Sequence, residues 1–302
     1  LLADLISDLE DADFDTAFTG FDPPEIEQLM NSVHDKKIVE DDFDVDAELE
    51  KPAITKQGDL WLLGNHRLVC GDSTLSETYD LLMDGKKAGL VITDPPYNVN
   101  YEGSAGKIKN DKMEEDQFEK FLFAAYVNME QNMADDASIY VFHSDSHGLA
   151  FRKAFEEAGF YLSGCCIWKK QSLVLGRSPY QWIHEPCLYG WKKSGKHQWY
   201  AGRSETTVWE YDKPKKNDLH PTMKPVNLIA YPIKNSSMSS AIVLDPFGGS
   251  GSTLIACEQM DRICHTIELY EKYADVIVSR FIEQAQTDSK VRLIRAGKEY
   301  SY

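Results

Sequence analysis

The chain has 302 residues, 42% hydrophobic and 27% charged, the composition of a soluble globular protein with one large or two ordinary domains. No apolar run approaches the ~20 residues that span a membrane, and the acidic start LLADLISDLEDADFD is no signal peptide. The net charge of −17 argues against a phosphate-binding surface only until it is divided. Residues 1–50 hold 17 acids against Lys36 and Lys37, whereas residues 163–224 hold 11 Lys or Arg against 5 acids.

Residues 1–50 are expected to form an acidic arm: one short helix carrying Leu2, Leu5, Ile6 and Leu9 on a mostly flexible segment, or a tether to a missing domain. A chain that opens without Met fits part of a longer protein. Within the arm, FDPPEIEQL reads as a helix start. Asp22 caps, Pro23 takes the first helical position, and Glu25 returns a carboxylate as in a capping box.

From Gln57 the pattern changes. GDLWLLGNHRLVCGDS predicts two short strands broken at Gly64-Asn65 and ending in a turn at Gly71-Asp72. Residues 89–93 (GLVIT) read as a buried strand, 117–133 as a helix, 137–143 as a strand, 149–158 as a helix, and YLSGCCIWKK as a further strand. This alternation predicts an α/β fold with a largely parallel sheet. The stretch 169–218 breaks it. This stretch and Trp168 hold five of the six tryptophans (Trp168, Trp182, Trp191, Trp199, Trp209), interleaved with basic residues; Trp168 and Trp182 are expected in the core. Next come HPTMKP (His220 to Pro225), a helix, and the strand SAIVLD. The six cysteines form no C-x-x-C pair and are expected as reduced core thiols, and Cys165, Cys166, His184 and Cys187 have the wrong spacing for a zinc ribbon.

Two segments carry chemistry. In AIVLDPFGGSGST, Gly248, Gly249 and Gly251 follow a strand and precede a helix, which allows a tight turn and close approach of a ligand to the backbone. Glu268 stands about twenty residues on, where an acid can accept hydrogen bonds from ribose hydroxyls. The turn has no Walker lysine and departs from G-x-G-x-x-G, so a nucleoside-like ligand without a diphosphate fits better. Too few residues follow Glu268 to complete a sheet. The order is therefore expected to be circularly permuted, with the catalytic half first and the cofactor half last.

The second segment, Asp94-Pro95-Pro96-Tyr97, follows a buried strand. Two prolines donate no N–H and stiffen the chain, so a carboxylate and a rigid carbonyl can grip both hydrogens of an amino group, while Tyr97 offers a stacking face. Such a grip turns the amine lone pair towards an electrophile without metal or covalent catalysis.

Together GDS (71–73), DPPYNV (94–99), HPTMKP (220–225), DPFGGSGST (245–253) and IEL (267–269), in this order, resemble the permuted β-group of amino-group DNA methyltransferases that use S-adenosylmethionine. The match runs from about Gly58 to Phe281. The resemblance implies a Rossmann-like class I methyltransferase sheet with a catalytic half (51–168), a small inserted DNA-recognition region (169–218) and a cofactor-binding half (219–302). It implies that Asp94, Pro95, Pro96 and Tyr97 hold a flipped base, most readily adenine at N6. Asp94, Asp245, Pro246, Phe247, Gly248, Gly249, Ser250, Gly251, Glu268 and Leu269 would line the cofactor, with Asp72 near its adenine and His220, Thr222 and Lys224 near its carboxylate. DNA, as a duplex with the target base extruded, is the implied partner. Its phosphates would meet Lys107, Lys109 and Lys112 on a mobile loop (98–116) and Lys169, Lys170, Arg177, Lys192, Lys193 and Arg203 on the basic stretch. A short or relaxed target sequence and a place in bacterial or phage-host cytoplasm are expected; a homodimer, or a partner for the acidic arm, stays open. So do cytosine N4 as the target, an RNA or protein methyltransferase, and a non-catalytic DNA-binding module. Pro186-Cys187 resembles the nucleophile of cytosine C5 methyltransferases, but it lies within an expected strand while DPPY already fills the catalytic strand end.

Overall fold

The computed structural model describes residues 2–11, 19–33, 37–99, 102–103, 106–107, 112–175, 179–212 and 223–301. The chain opens with helices α1 (Leu2–Asp11), α2 (Pro23–Val33) and α3 (Val45–Leu49). The capping box is present: Glu25 N–H donates to Asp22 Oδ1 (2.9 Å) and Asp22 N–H to Glu25 Oε2 (3.0 Å). The expectation of a single helix on a flexible arm is corrected. Phe43, Val45 and Leu49 are buried against Met223 and Val276 of the C-terminal half, and side-chain bonds tie residues 39–49 to the body.

Next come β1 (Leu60–Leu63), β2 (His66–Cys70), α4 (Ser76–Met83), β3 (Ala88–Thr93) and the short pair β4 (Glu102–Gly103) and β5 (Gly106–Lys107). They are followed by α5 (Glu115–Asn132), β6 (Met133–Phe142), α6 (Gly148–Glu157), β7 (Phe160–Val174), β8 (Trp182–Lys192) and β9 (Val208–Glu210). The chain ends with α7 (Val226–Ser236), β10 (Ile242–Asp245), α8 (Ser252–Gln259), β11 (Ile263–Glu268), α9 (Glu271–Ala285), β12 (Val291–Arg295) and β13 (Lys298–Ser301). No described helix is long and apolar enough to cross a membrane.

Among the described residues, eleven strands form one sheet in the order β13-β12-β1-β2-β11-β10-β3-β6-β8-β7-β9. Its centre, β2, β11, β10, β3 and β6, is parallel; β8 runs antiparallel to both β6 and β7. Successive side chains of a strand face opposite ways, so β3 sends Leu90 and Ile92 to one core and Val91 to the other. The first core is completed by α7, α8 and α9 through Ile229, Ile255 and Phe281. The second is completed by α4, α5 and α6, with Phe118, Leu122, Ala125 and Met129 of α5 recurring at helical spacing. A sheet covered on both faces explains why its central strands read as near-continuous apolar runs.

Two regions depart from the sequence reading. Within 169–218, expected as a DNA-recognition region, residues 182–192 are β8; the strand expected around Pro186-Cys187 thus belongs to the main sheet and buries Cys187 and Leu188 between β6 and β7. The segment after α9, where too few residues were expected to complete a sheet, also adds to it, because β12 pairs with β1. All six cysteines are free thiols, five of them buried.

Candidate active site

The parallel strands β2, β11, β10 and β3 end at one sheet edge. Helix α8, following β10, covers one face; α5, following β3, covers the other. The crevice between these two strand ends is therefore the topological switch point, where open α/β sheets bind ligands. Asp245 ends β10 and is buried there, accepting from Thr93 Oγ1 (2.9 Å), Thr253 Oγ1 (2.6 Å) and the Phe247 amide (3.2 Å). Burial outweighs these bonds and pushes its carboxyl up to about 7.

The glycine turn follows. Gly249 and Gly251 take left-handed φ values of 53° and 87°, which favour glycine. A β-carbon on Gly248 would collide with the Thr266 hydroxyl and crowd Ile277, so the turn packs closely on β11 and α9, whereas the space beside Gly249 is open. Glu268, at the end of β11, accepts from the Gly249 amide (2.8 Å) and the Tyr270 amide (2.8 Å), and burial raises its carboxyl to about 7. The turn and its distant acid are thus one unit. The open space beside Gly249, with the Glu268 carboxylate next to it, can take a nucleoside ligand.

Asp94 leaves the end of β3, one strand from Asp245. Its Oδ1 accepts from the Tyr97 hydroxyl (2.5 Å) and its Oδ2 from the Lys224 ammonium (2.5 Å). Lys224 also lies 3.1 Å from Glu185 Oε2 and over the rings of Phe142 (5.0 Å) and Tyr97 (5.5 Å). Burial disfavours its charge, but Asp94 and Glu185 outweigh burial and hold its pKa above the usual lysine value. Burial likewise opposes the charge of Glu185. Lys224 and Lys170, which pairs with its other oxygen, prevail and hold Glu185 below the ordinary carboxylate range. The result is a four-member charge cluster under an aromatic roof.

The structure sorts the expected residues. Asp94, Pro95, Pro96 and Tyr97 share the crevice with Asp245, Pro246, Phe247, Gly248, Gly249, Ser250, Gly251, Glu268 and Leu269, at the ends of β3, β10 and β11. Asp72 follows β2 at the same edge, where its Oδ1 holds the Thr74 amide and hydroxyl. Lys224, expected at a cofactor carboxylate, instead pairs with Asp94 and Glu185; His220 and Thr222 lie outside the described residues. Tyr97 packs its ring edge-on to Phe151 at 6.2 Å.

Several basic residues expected on DNA need correction. Lys170 is drawn onto Glu185, and Lys192 is buried between Asp135 (3.2 Å) and Glu130 (3.6 Å), because both face inward from sheet strands. Lys169 is exposed but paired with Glu210 (2.6 Å), and Lys193 is exposed with its ammonium on the Glu156 carbonyl (2.7 Å). Lys112 and Arg203 are exposed. Lys107 belongs to β5, whereas Lys109 and Arg177 lie outside the described residues, as does part of the loop expected to be mobile. Trp168 is buried as expected, but Trp182 is 45% exposed at the start of β8.

Sequence reasoning missed Glu185, Thr93 and Thr253. Glu185 had a signal: it is the one acid in the strand WIHEPCLYGWK, next to a stretch that enters the core.

Solved structures share this fold. The chain aligns with the crystal structure of an M1.HpyAVI–SAM complex (TM-score 0.54, 24% identity, 70% of this chain and 98% of the other). It also aligns with the PvuII DNA methyltransferase titled cytosine-N4-specific (TM-score 0.58, 17% identity, 73% and 87%). The fold is that of the class I S-adenosylmethionine methyltransferases, a mixed α/β sheet. Among sequence relatives, YubD of Escherichia coli (strain K12) is 31% identical over 190 residues, 63% of this chain and 79% of the relative. Residues 88–279 match the N6/N4 family described as DNA methylase, and the chain belongs to that family. Residues 1–57 match a segment described as a ParB-methyltransferase HTH domain.

Proposed function

We propose that this DNA methyltransferase alkylates the N6 amino group of an adenine extruded from duplex DNA. The observation that carries the reading is the contact between the two strand ends. Thr93, the residue before Asp94, donates to Asp245 at 2.9 Å, so the amine-binding tetrapeptide abuts the turn proposed to hold the cofactor. The catalytic strand precedes the cofactor strands in the chain yet lies beside them in the sheet, an order we read as a circular permutation.

When bound, S-adenosylmethionine supplies an electrophilic methyl on a sulfonium that leaves as a neutral thioether. Asp245 and the turn 246–251 would cradle it, with Glu268 accepting from its ribose. Asp94 accepts one hydrogen of the target amine and the Pro95 carbonyl the other, which turns the nitrogen lone pair out of the ring plane. Alkylation leaves positive charge on that nitrogen, and the carboxylates of Asp94 and Glu185 offset it until a proton departs through Asp94. Of the described residues expected on DNA, Lys112, Lys193 and Arg203 are exposed cations that phosphates could meet.

The test is mass spectrometry of nucleosides from DNA treated with the protein and S-adenosylmethionine. N6-methyladenine is expected. N4-methylcytosine would replace the adenine reading with cytosine, whose amine the same acceptors could hold, and no methylated nucleoside would remove both.

A further inference from the structure

The acids of the N-terminal segment have specific partners. Glu40 accepts from the amides of Val226 (2.9 Å) and Asn227 (2.8 Å) and from the Asn227 side chain (2.9 Å). These are the first residues of α7, whose own N-cap is Pro225 without a side-chain cap. A carboxylate at that point satisfies orphan amides and opposes the helix dipole favourably. Asp41 accepts from Arg280 Nε (2.8 Å), and the same guanidinium donates to the Ser250 carbonyl (2.9 Å) and reaches Ser252 Oγ (3.3 Å). Ser252 Oγ in turn donates to the Lys224 carbonyl (2.8 Å).

The two acids therefore converge on the two backbone pieces that build the site. Ser250 lies in the glycine turn; Lys224, two residues before α7, carries the ammonium on Asp94. Val39 adds a two-way bridge to the Gln259 side chain (2.8 and 2.9 Å), and Phe43, Val45 and Leu49 close an apolar patch over Met223 and Val276. A segment with 17 acids against two lysines in residues 1–50 is also a poor match for phosphate.

We infer that residues 37–49 are a brace whose Glu40 and Asp41 are positioning residues for cofactor binding, locking residues 224–227 to residues 250–252. The inference rests on the reading of residues 245–251 and Glu268 as the cofactor site. Glu27 is the internal control. It pairs with buried Arg262 and accepts from the Ser239 amide (3.0 Å), ahead of β10 and β11 and away from the site.

Calorimetric titration of the full chain with S-adenosylmethionine, beside thermal unfolding, tests it. Asp41→Asn and Glu40→Gln are expected to weaken cofactor binding at least fivefold, and Asp41→Glu to regain most of the loss. Glu27→Gln is expected to lower the unfolding midpoint with affinity kept within twofold. The brace is overturned if Asp41→Asn and Glu40→Gln bind within twofold of the wild type, or if Glu27→Gln weakens binding as much as they do. Should Asp41→Asn fail to fold, Glu40→Gln decides, since it removes one charge from a half-buried cap. A wild-type chain that binds no S-adenosylmethionine overturns the site reading and the brace together; a binding wild type with unchanged variants overturns the brace alone.

Discussion

The ammonium of Lys224 sits 2.5 Å from Oδ2 of Asp94 while the Tyr97 hydroxyl sits 2.5 Å from Oδ1, so the protein's own donors occupy both oxygens. An incoming amine must share one of them or displace its donor, and without Asp94 it loses the carboxylate proposed to accept its hydrogen. Asp94→Ala is expected to cut methyl transfer by roughly 10²–10³ or more, the usual cost of losing an electrostatic contact made in the transition state. Cofactor affinity should stay within a few-fold, because the turn 245–251 is untouched. Single-turnover transfer of labelled methyl, beside cofactor titration, checks both halves.

Glu185 offers the displaced ammonium a second home, since its Oε2 is already 3.1 Å away. Glu185→Gln would leave Lys224 with Asp94 as its one carboxylate and make the amine compete for it. A loss of ~10- to ~100-fold in transfer is expected, in line with small misplacements at reacting centres. Burst kinetics should show that loss in the chemical step, with cofactor affinity unchanged.

Asp245 and Glu268 both titrate near 7 because burial raises them from ordinary carboxylate values of 3.8 and 4.5. Raised acids hold protons better in the folded state, so their contribution to stability is full below about pH 4 and is lost as pH rises through 7. A bound sulfonium cofactor favours the ionised forms. Its affinity should therefore rise between pH 6 and 8, by up to about tenfold for each fully coupled group, with protons released on binding. Titration in buffers of different ionisation enthalpy measures that release; Glu268→Gln should flatten the profile.

The parts of this site that could be read in the sequence are those made by neighbours in the chain. DPPY and the glycine turn announce themselves because local backbone chemistry demands those residues, and the central strands do so because both faces are buried. The charge partners could not be read that way. Glu40, Asp41 and Glu27 look like solvated acids, and only the fold brings Val226, Arg280 and Arg262 to them from about 200 residues away. Strand β12 escaped for a related reason: as an outer strand it alternates Arg292 with buried Leu293 and reads as a charged tail.

Cys187 meets the burial but not the electrostatics of a nucleophile. Burial and the neighbouring Cys166 push its thiol well above the ordinary range, whereas an attacking cysteine needs a lowered one. Cys187→Ala should keep transfer activity and cost about 1–2 kcal/mol of stability from the small cavity it leaves. Denaturant unfolding and an activity assay on the same sample separate the two effects.

Lys192 and Arg203 are both basic residues of the stretch 169–218, and their surroundings give them opposite fates. Lys192 is inside the sheet and neutralised by Asp135 and Glu130; Arg203 is exposed. A cation that releases a phosphate counterion contributes about one unit to the salt dependence of binding. Arg203→Ala, like Lys112→Ala, should therefore reduce the slope of log K against log salt by about 1 and weaken binding evenly across sequences. Lys192→Met should leave that slope unchanged while lowering the unfolding midpoint, because the loss falls on Glu130 and Asp135. Fluorescence anisotropy on duplex DNA between 50 and 200 mM salt reads the slopes. A slope change for Lys192→Met equal to that of Arg203→Ala would mean that its ammonium leaves the two acids to reach phosphate.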